Sequence, residues 1–382
     1  MAESHLLPPS EQRASDPLCG EVLGGRFELL EQLDEGGMAV VYIGLDRLSG
    51  EHVAVKVLRD GLATSDEIRT RFFHEAQAMM GMVSRHIVEV LDVGAFDDRH
   101  AYFAMELLDG LRLDELCGEA LPVELVYDYA RQMVAALEVA HANGVVHRDL
   151  KPDNIFLETV AGCDVVKLID FGIAKHETAS SLTVPGAVFG TPHYMAPEQA
   201  SGRDQVGPHT DLYSVGIILY ELVTGEMPFD GADAMQVMLA QIGMPPPSVR
   251  DRRPDCPPEL EAIIMRCLAK RPADRFPSAA SLREALDRAA GDAPTVAERC
   301  AIGEEISGLR LRPTVGDVPD VVREPGAAGE LDGSLQTSRP TPTEPTPWVG
   351  PPPDPSATRG KWLLVVAVAL CVGLTLFVAH VL

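Results

Sequence analysis

The chain is short of positive charge. Its 382 residues carry 32 Lys and Arg against 57 Asp and Glu, a formal net charge of −25. A field of that sign repels phosphate backbones, so nucleic acid is not an expected partner. Seven cysteines (Cys19, Cys117, Cys163, Cys256, Cys267, Cys300, Cys371) are scattered without a C-x-x-C pair. That spacing argues for reduced thiols rather than a zinc site or a disulfide framework. The opening "MAESHLLPPSEQRASD" has no basic run leading into an apolar one, so no signal peptide is expected. No internal repeat is visible.

What is present divides the chain into four parts. Residues 1–25 are polar and Pro-containing, a flexible lead-in. From 26 to 290, periodic apolar segments describe one continuous globular region. Residues 291–361 lose that periodicity and include "TSRPTPTEPTPWVGPPPDPSATR", a Pro/Thr-rich tether expected to be disordered and extended. Residues 362–382, "WLLVVAVALCVGLTLFVAHVL", carry no formal charge and are long enough to cross a hydrocarbon core of about 30 Å as one transmembrane helix. Arg359 and Lys361 just before it favour a cytoplasmic location for the N-terminal bulk, giving a single-pass protein of the cell membrane.

Within the globular region, "RFELLEQL" and "AVVYIGLD" alternate like two strands flanking the glycine-containing "DEGGM", and "EHVAVKVL" reads as a third. Thr64 with Glu67 suggests a capping box for a helix through "IRTRFFHEAQAMMGMV". "HAYFAMELLDG" reads as a further strand running into a connector. Helices then dominate: "PVELVYDYARQMVAALEVAHANG" stops at Asn143-Gly144, and "DLYSVGIILYELVTG" is apolar nearly all round, as a buried helix would be. The expected fold is α+β and bilobal: a small sheet-rich lobe, a larger helical lobe, and a cleft near Met105 to Gly110.

Two motifs carry chemistry: "VVHRDLKPDNIFLE", with His147, Arg148, Asp149, Lys151 and Asn154, and "VKLIDFGIAK", with Asp170, Phe171 and Gly172. In this order, behind "VAVK" and ahead of "GTPHYMAPEQ", they make the chain resemble the protein kinase family, specifically bacterial Ser/Thr kinases of the eukaryotic-like type, over about residues 26–290. The resemblance implies ATP and Mg²⁺ as cofactors and protein hydroxyls as acceptors. Asp149 would orient the acceptor hydroxyl and Lys151 would place a cation near the transferring phosphoryl. Asn154 and Asp170 would offer oxygens to Mg²⁺. Lys56 would reach the α/β-phosphates, oriented by Glu75; Glu67 is the competing partner. The implied nucleotide site comprises Leu33, Gly36, Gly37, Val41, Ala54, Lys56, Met105, Glu106, Leu108 and Leu157. The family's three glycine places fall at Asp34, Gly36 and Ala39. Asp34 adds negative charge near an anionic ligand, and Asp tolerates positive φ at about 1–2 kcal/mol, so weaker ATP affinity is expected.

"HRDLKPDN" matches the Ser/Thr branch. Thr191 would lie near Asp149 and Lys151, Glu198 would pair with Arg275, and Asp211 would anchor the catalytic loop. Arg148 beside the segment 170–198 suggests that a phosphate there would order it, with Thr183 the first candidate and Thr178, Ser180 and Ser181 behind it. Membrane attachment would favour self-association and phosphorylation in trans. Two other readings stand beside this one: an inactive scaffold of the same fold, and a small-molecule phosphotransferase. Retention of Lys56, Glu75, Asp149, Asn154 and Asp170 argues against the first, and "GTPHYMAPE" against the second.

Overall fold

The structure, a computed structural model, describes residues 16–63, 65–96, 101–160, 162–172, 192–202 and 206–291. All belong to one compact unit, Met1–Asp317. Thr178, Ser180, Ser181, Thr183 and Thr191 lie outside the described residues, as do the tether beyond residue 291 and the expected helix at 362–382. Among the described residues no helix is long and apolar enough to cross a membrane.

The small lobe is built on β1 (Val22–Leu23), β2 (Phe27–Glu35), β3 (Ala39–Asp46), β4 (His52–Leu58), β5 (Val90–Ala95) and β6 (Ala101–Glu106). They form one antiparallel sheet in the order β1-β2-β3-β4-β6-β5. Alternation drives it: along β2 the buried Phe27 and Leu29 meet Tyr42, Val53 and Val55 on one face. The other face packs on α2 (Asp66–Met80), reached through the single turn α1 (Asp60–Ala63). The cap of α2 is Ser65, not Thr64: its hydroxyl accepts from Ile68 N–H at 3.4 Å, and Asp66 and Glu67 complement the first turn. A one-residue shift is within what a run of adjacent hydroxyl residues leaves open.

The large lobe starts with β7 (Gly110–Arg112). The strand through "HAYFAMELLDG" ends at Glu106 and runs into a connector, as expected, and Gly110 then takes a new partner. Gly110 has φ 153°, and a Cβ there would lie 2.0 Å from the Leu157 carbonyl oxygen. β7 therefore joins β8 (Ile155–Val160) and β9 (Cys163–Leu168) in a second antiparallel sheet that the sequence reading did not anticipate. The helices follow expectation. α3 (Val123–Ala142) ends at Asn143-Gly144, with Gly144 at φ 74°. Beyond the single turn α4 (Pro197–Ala200), α5 (Pro208–Thr224) starts on Pro208 and stops at left-handed Gly225, and every residue from Thr210 to Val223 is buried. α6 (Ala234–Gly243), α7 (Val249–Arg252), α8 (Pro258–Cys267) and α9 (Ala279–Ala290) surround it.

The segment after α2 is fastened to the large lobe. Val88 N–H donates to the Leu168 carbonyl at 3.0 Å, Leu168 N–H to the His86 carbonyl at 3.0 Å, and the His86 ring Nδ1 lies 3.0 Å from the Val166 carbonyl. Cys19, Cys117, Cys256 and Cys267 are free thiols, as expected. Cys163 is not: it is disulfide-bonded, which departs from the expectation of reduced thiols throughout.

Candidate active site

Lys56 lies on the central strand β4, in register between Val41 of β3 and Phe103 of β6. A lysine so placed is buried along its stem, and burial alone would lower its pKa. Its ammonium lies 2.7 Å from Asp170 Oδ1 and 3.3 Å from Glu75 Oε1, and these carboxylates more than offset burial and raise the pKa. Lys56 is therefore a permanent cation. The competing partner, Glu67, is 70 % exposed and pairs with Arg71 one turn along α2, whereas Glu75 faces the sheet. Helical spacing decides between them: Glu75 is on the buried face with Phe72, Ala76 and Met79.

Asp170 is held against the motif that carries Asp149 and Asn154. Ile169 N–H donates to the Asn154 carbonyl at 3.1 Å and Gly172 N–H to the His147 carbonyl at 2.9 Å. A Cβ on Gly172 would lie 2.5 Å from Cβ of Asp149, so only glycine allows this approach. Phe171 stacks on the His147 ring at 4.6 Å between centroids. That imidazole is fully buried, its nitrogens have no partner among the described residues, and burial lowers its pKa, so it packs as a neutral ring.

The loop carrying Asp149 is over-determined. Arg148 is the one described non-glycine residue with positive φ, 65°, a conformation costing about 1–2 kcal/mol. The N–H groups of His147 and Arg148 donate to the two carboxylate oxygens of Asp211 at 2.9 and 2.8 Å, and His141 Nε2 lies 2.8 Å from the same side chain. Asn154 Nδ2 donates to the Asp149 carbonyl at 2.8 Å and to its Oδ2 at 3.1 Å. The Lys151 ammonium lies 3.4 Å from Asp153. Glu198 and Arg275 form the expected buried pair, bidentate at 2.8 Å for both contacts, with Thr210 donating to Glu198 at 2.9 Å. Burial pushes the Glu198 pKa up, but Arg275 more than offsets this and holds it below the usual range.

Ala54, Met105 and Leu157 are buried in one apolar cluster, with Val41 and Leu108 packed against it. Leu33 is 52 % exposed and stays outside it. Glu106 accepts from Lys167 at 2.6 Å and from Glu89 N–H at 2.8 Å. In the glycine-containing loop, Gly36 N–H donates to the Ala39 carbonyl at 2.9 Å. Asp34 sits in β2 opposite Val41 without positive φ, so the backbone cost considered for it is not incurred. Its Oδ2 lies 3.3 Å from Arg112, a partner that sequence gave no means of finding. Gly37 has neither positive φ nor a protein atom near its missing Cβ, so packing within the chain does not require glycine there.

Asn154 and Asp170 suit Mg²⁺: both offer oxygens, the amide nitrogen of Asn154 is already engaged, and Mg²⁺ takes few protein ligands beside phosphate oxygens. Among the described residues no cluster of three or more His, Cys, Asp and Glu forms a self-contained metal site.

Residues 27–286 match the protein kinase domain family. The chain is 40% identical over 318 residues to the serine/threonine-protein kinase Pkn1 of Myxococcus xanthus, covering 83% of this chain and 46% of that protein. It is 34% identical over 342 residues to PrkC of Bacillus subtilis, covering 87% and 51% respectively. It thus spans about half the length of the curated relatives it matches. The crystal structure of the Mycobacterium tuberculosis PknI kinase domain superposes with a TM-score of 0.56 at 29% identity, over 71% of this chain and 98% of that one.

Proposed function

The chain belongs to the protein kinase domain family, and from that membership we propose that it transfers the γ-phosphoryl group of ATP to serine and threonine hydroxyls of proteins. The observation that carries the reading is the gathering of Lys56, Glu75 and Asp170 within 3.3 Å of one ammonium, with Asp170 locked beside Asp149 and Asn154. Phosphoryl transfer asks for little covalent help. It needs an in-line hydroxyl and fixed positive charge around the phosphate oxygens.

Each residue has a role that its surroundings fit. Lys56, kept charged by two carboxylates, binds the α/β-phosphates. Glu75 orients it. The purine lies against Val41, Ala54, Met105 and Leu157, with the backbone of Glu106 to Leu108 at its polar edge. The freedom of Gly37 from any packing demand fits a loop tip whose shape is set by what it covers. Asp149 orients the acceptor hydroxyl and takes up its proton, and Lys151 adds a cation beside the transferred group. Asn154 and Asp170 would hold Mg²⁺, which would neutralise phosphate charge there.

Arg148 supports self-phosphorylation between residues 173 and 191, with Thr183 the first candidate. Its Nε is buried without a partner among the described residues, and a phosphate would supply one. Residues 26–290 are the kinase domain, and residues 362–382 anchor it to the membrane.

The decisive experiment incubates the purified protein with γ-labelled ATP and Mg²⁺, alone and with dephosphorylated casein. Label on serine or threonine that disappears in Asp149→Asn supports the proposal. Nucleotide binding with no Asp149-dependent transfer would make the protein an inactive scaffold.

A further inference from the structure

Three consecutive peptide groups run through the residue before Asp149, Asp149 itself and the residue after it, and a different side chain holds each. The 147–148 peptide is fixed through Arg148 N–H on Asp211. The 149–150 peptide is fixed through the Asp149 carbonyl, which accepts from Asn154. Between them, the Arg148 carbonyl accepts from Gln199 Nε2 at 2.7 Å. That middle peptide contains the Cα of Asp149, so any rotation of its plane swings the aspartate side chain. It also follows the left-handed Arg148, where the backbone gains by relaxing.

Gln199 belongs to α4, fifty-one residues downstream, and its local duty does not explain its identity. Its Oε1 accepts from Ala196 N–H at 3.1 Å, closing the first turn of α4. A glutamate would close that turn equally well. What glutamate lacks is the donor, and the donor is the half of the amide that reaches Arg148.

Resting on the kinase reading above, we infer that Gln199 is a positioning residue for phosphoryl transfer: it clamps the peptide that carries Asp149 and joins the segment Pro192–Gln199 to the catalytic loop. The rest of that segment is itself anchored. The His193 carbonyl accepts from Gln241, the Tyr194 carbonyl from Ser214 at 2.8 Å, and Glu198 pairs with Arg275. Gln199 thus ties the catalytic loop to a fixed frame.

The test uses the full chain with Gln199→Glu, which keeps the acceptor and removes the donor, and Gln199→Met, which removes both. Both variants are expected to lower kcat about tenfold, the size of one lost hydrogen bond to a reacting group's support, with KM for ATP changed less than about twofold. Amide exchange over residues 147–150, read by mass spectrometry, should quicken about threefold or more in both. Tm should fall further in Gln199→Met, because that variant orphans Ala196 N–H as well as the Arg148 carbonyl. Wild-type kcat and exchange in Gln199→Glu would overturn the inference. So would equal falls in Tm and kcat in both variants, which would mean a merely structural side chain. If the wild-type protein transfers no phosphate, the kinase reading fails on its own, and the exchange rates still decide whether Gln199 clamps the loop.

Discussion

Asp34 brings a negative charge to the hairpin that would cover the phosphates, yet 3.3 Å away Arg112 answers it. Both side chains are well exposed, at 61 % and 43 %, so the pair is screened and its contribution is of order 0–1 kcal/mol. Removing Asp34 should take a negative charge from the hairpin, leave Arg112 paired with Asp114 at 3.2 Å, and lower KM for ATP, and Arg112→Ala should raise it, each by no more than about fivefold and less at high salt. Steady-state kinetics of both single variants and the double variant check this; additivity would mean that the two charges act separately. At the chemical centre the effect is larger. Asp149→Asn should cut kcat by about a hundredfold or more with nucleotide affinity and Tm retained, measured by transfer kinetics and ATP titration. The sequence made Lys56, Glu75, Asp149, Asn154 and Asp170 legible because each sits in a motif. It did not reveal Arg112 or Gln199, whose partners lie 78 and 51 residues away with no periodicity linking them.

The elements stand or fall on a few buried contacts. Arg275 and Glu198 are almost wholly withdrawn from solvent, at 0 % and 4 % exposure. Removing one partner strands a charge, so Arg275→Met should destabilise by about 3–5 kcal/mol in urea unfolding. The same pair predicts an acid limb. With the folded pKa of Glu198 held below its ordinary value, its contribution is present above the usual carboxylate range and disappears as pH falls through the folded value. Stability should thus fall from about pH 4 downward, and Arg275→Met should flatten that limb. Gly216 marks where α5 and α8 nearly touch: a Cβ there would lie 2.6 Å from Cβ of Cys267 and 3.1 Å from Leu268. Gly216→Ala should cost about 1–3 kcal/mol by overpacking, read as a lower Tm. Most elements of the small lobe and the long helices were legible from alternation and helical period. The β7-β8-β9 sheet was not, because its short strands lie beside "DNIFLE" and "VKLID", where the signature residues mask a two-residue rhythm.

At the scale of the whole molecule, the apolar run at 362–382 separates two behaviours. The full chain should sediment with membranes, and a version ending at residue 361 should stay in the supernatant with the same specific activity on casein. Equal partitioning of both would remove the anchor from the account. Within the folded unit, the fastening of residues 86–88 to β9 has a mechanical meaning. The linker that leaves α2 is bolted to the large lobe at residues 86–88, while α2 itself packs on the small-lobe sheet that carries Lys56. The Lys56–Glu75 bond, 3.3 Å long, thus lies about a turn and a half of helix and a short linker from that joint, so the backbone itself couples the charge contact to the place where the two lobes are pinned.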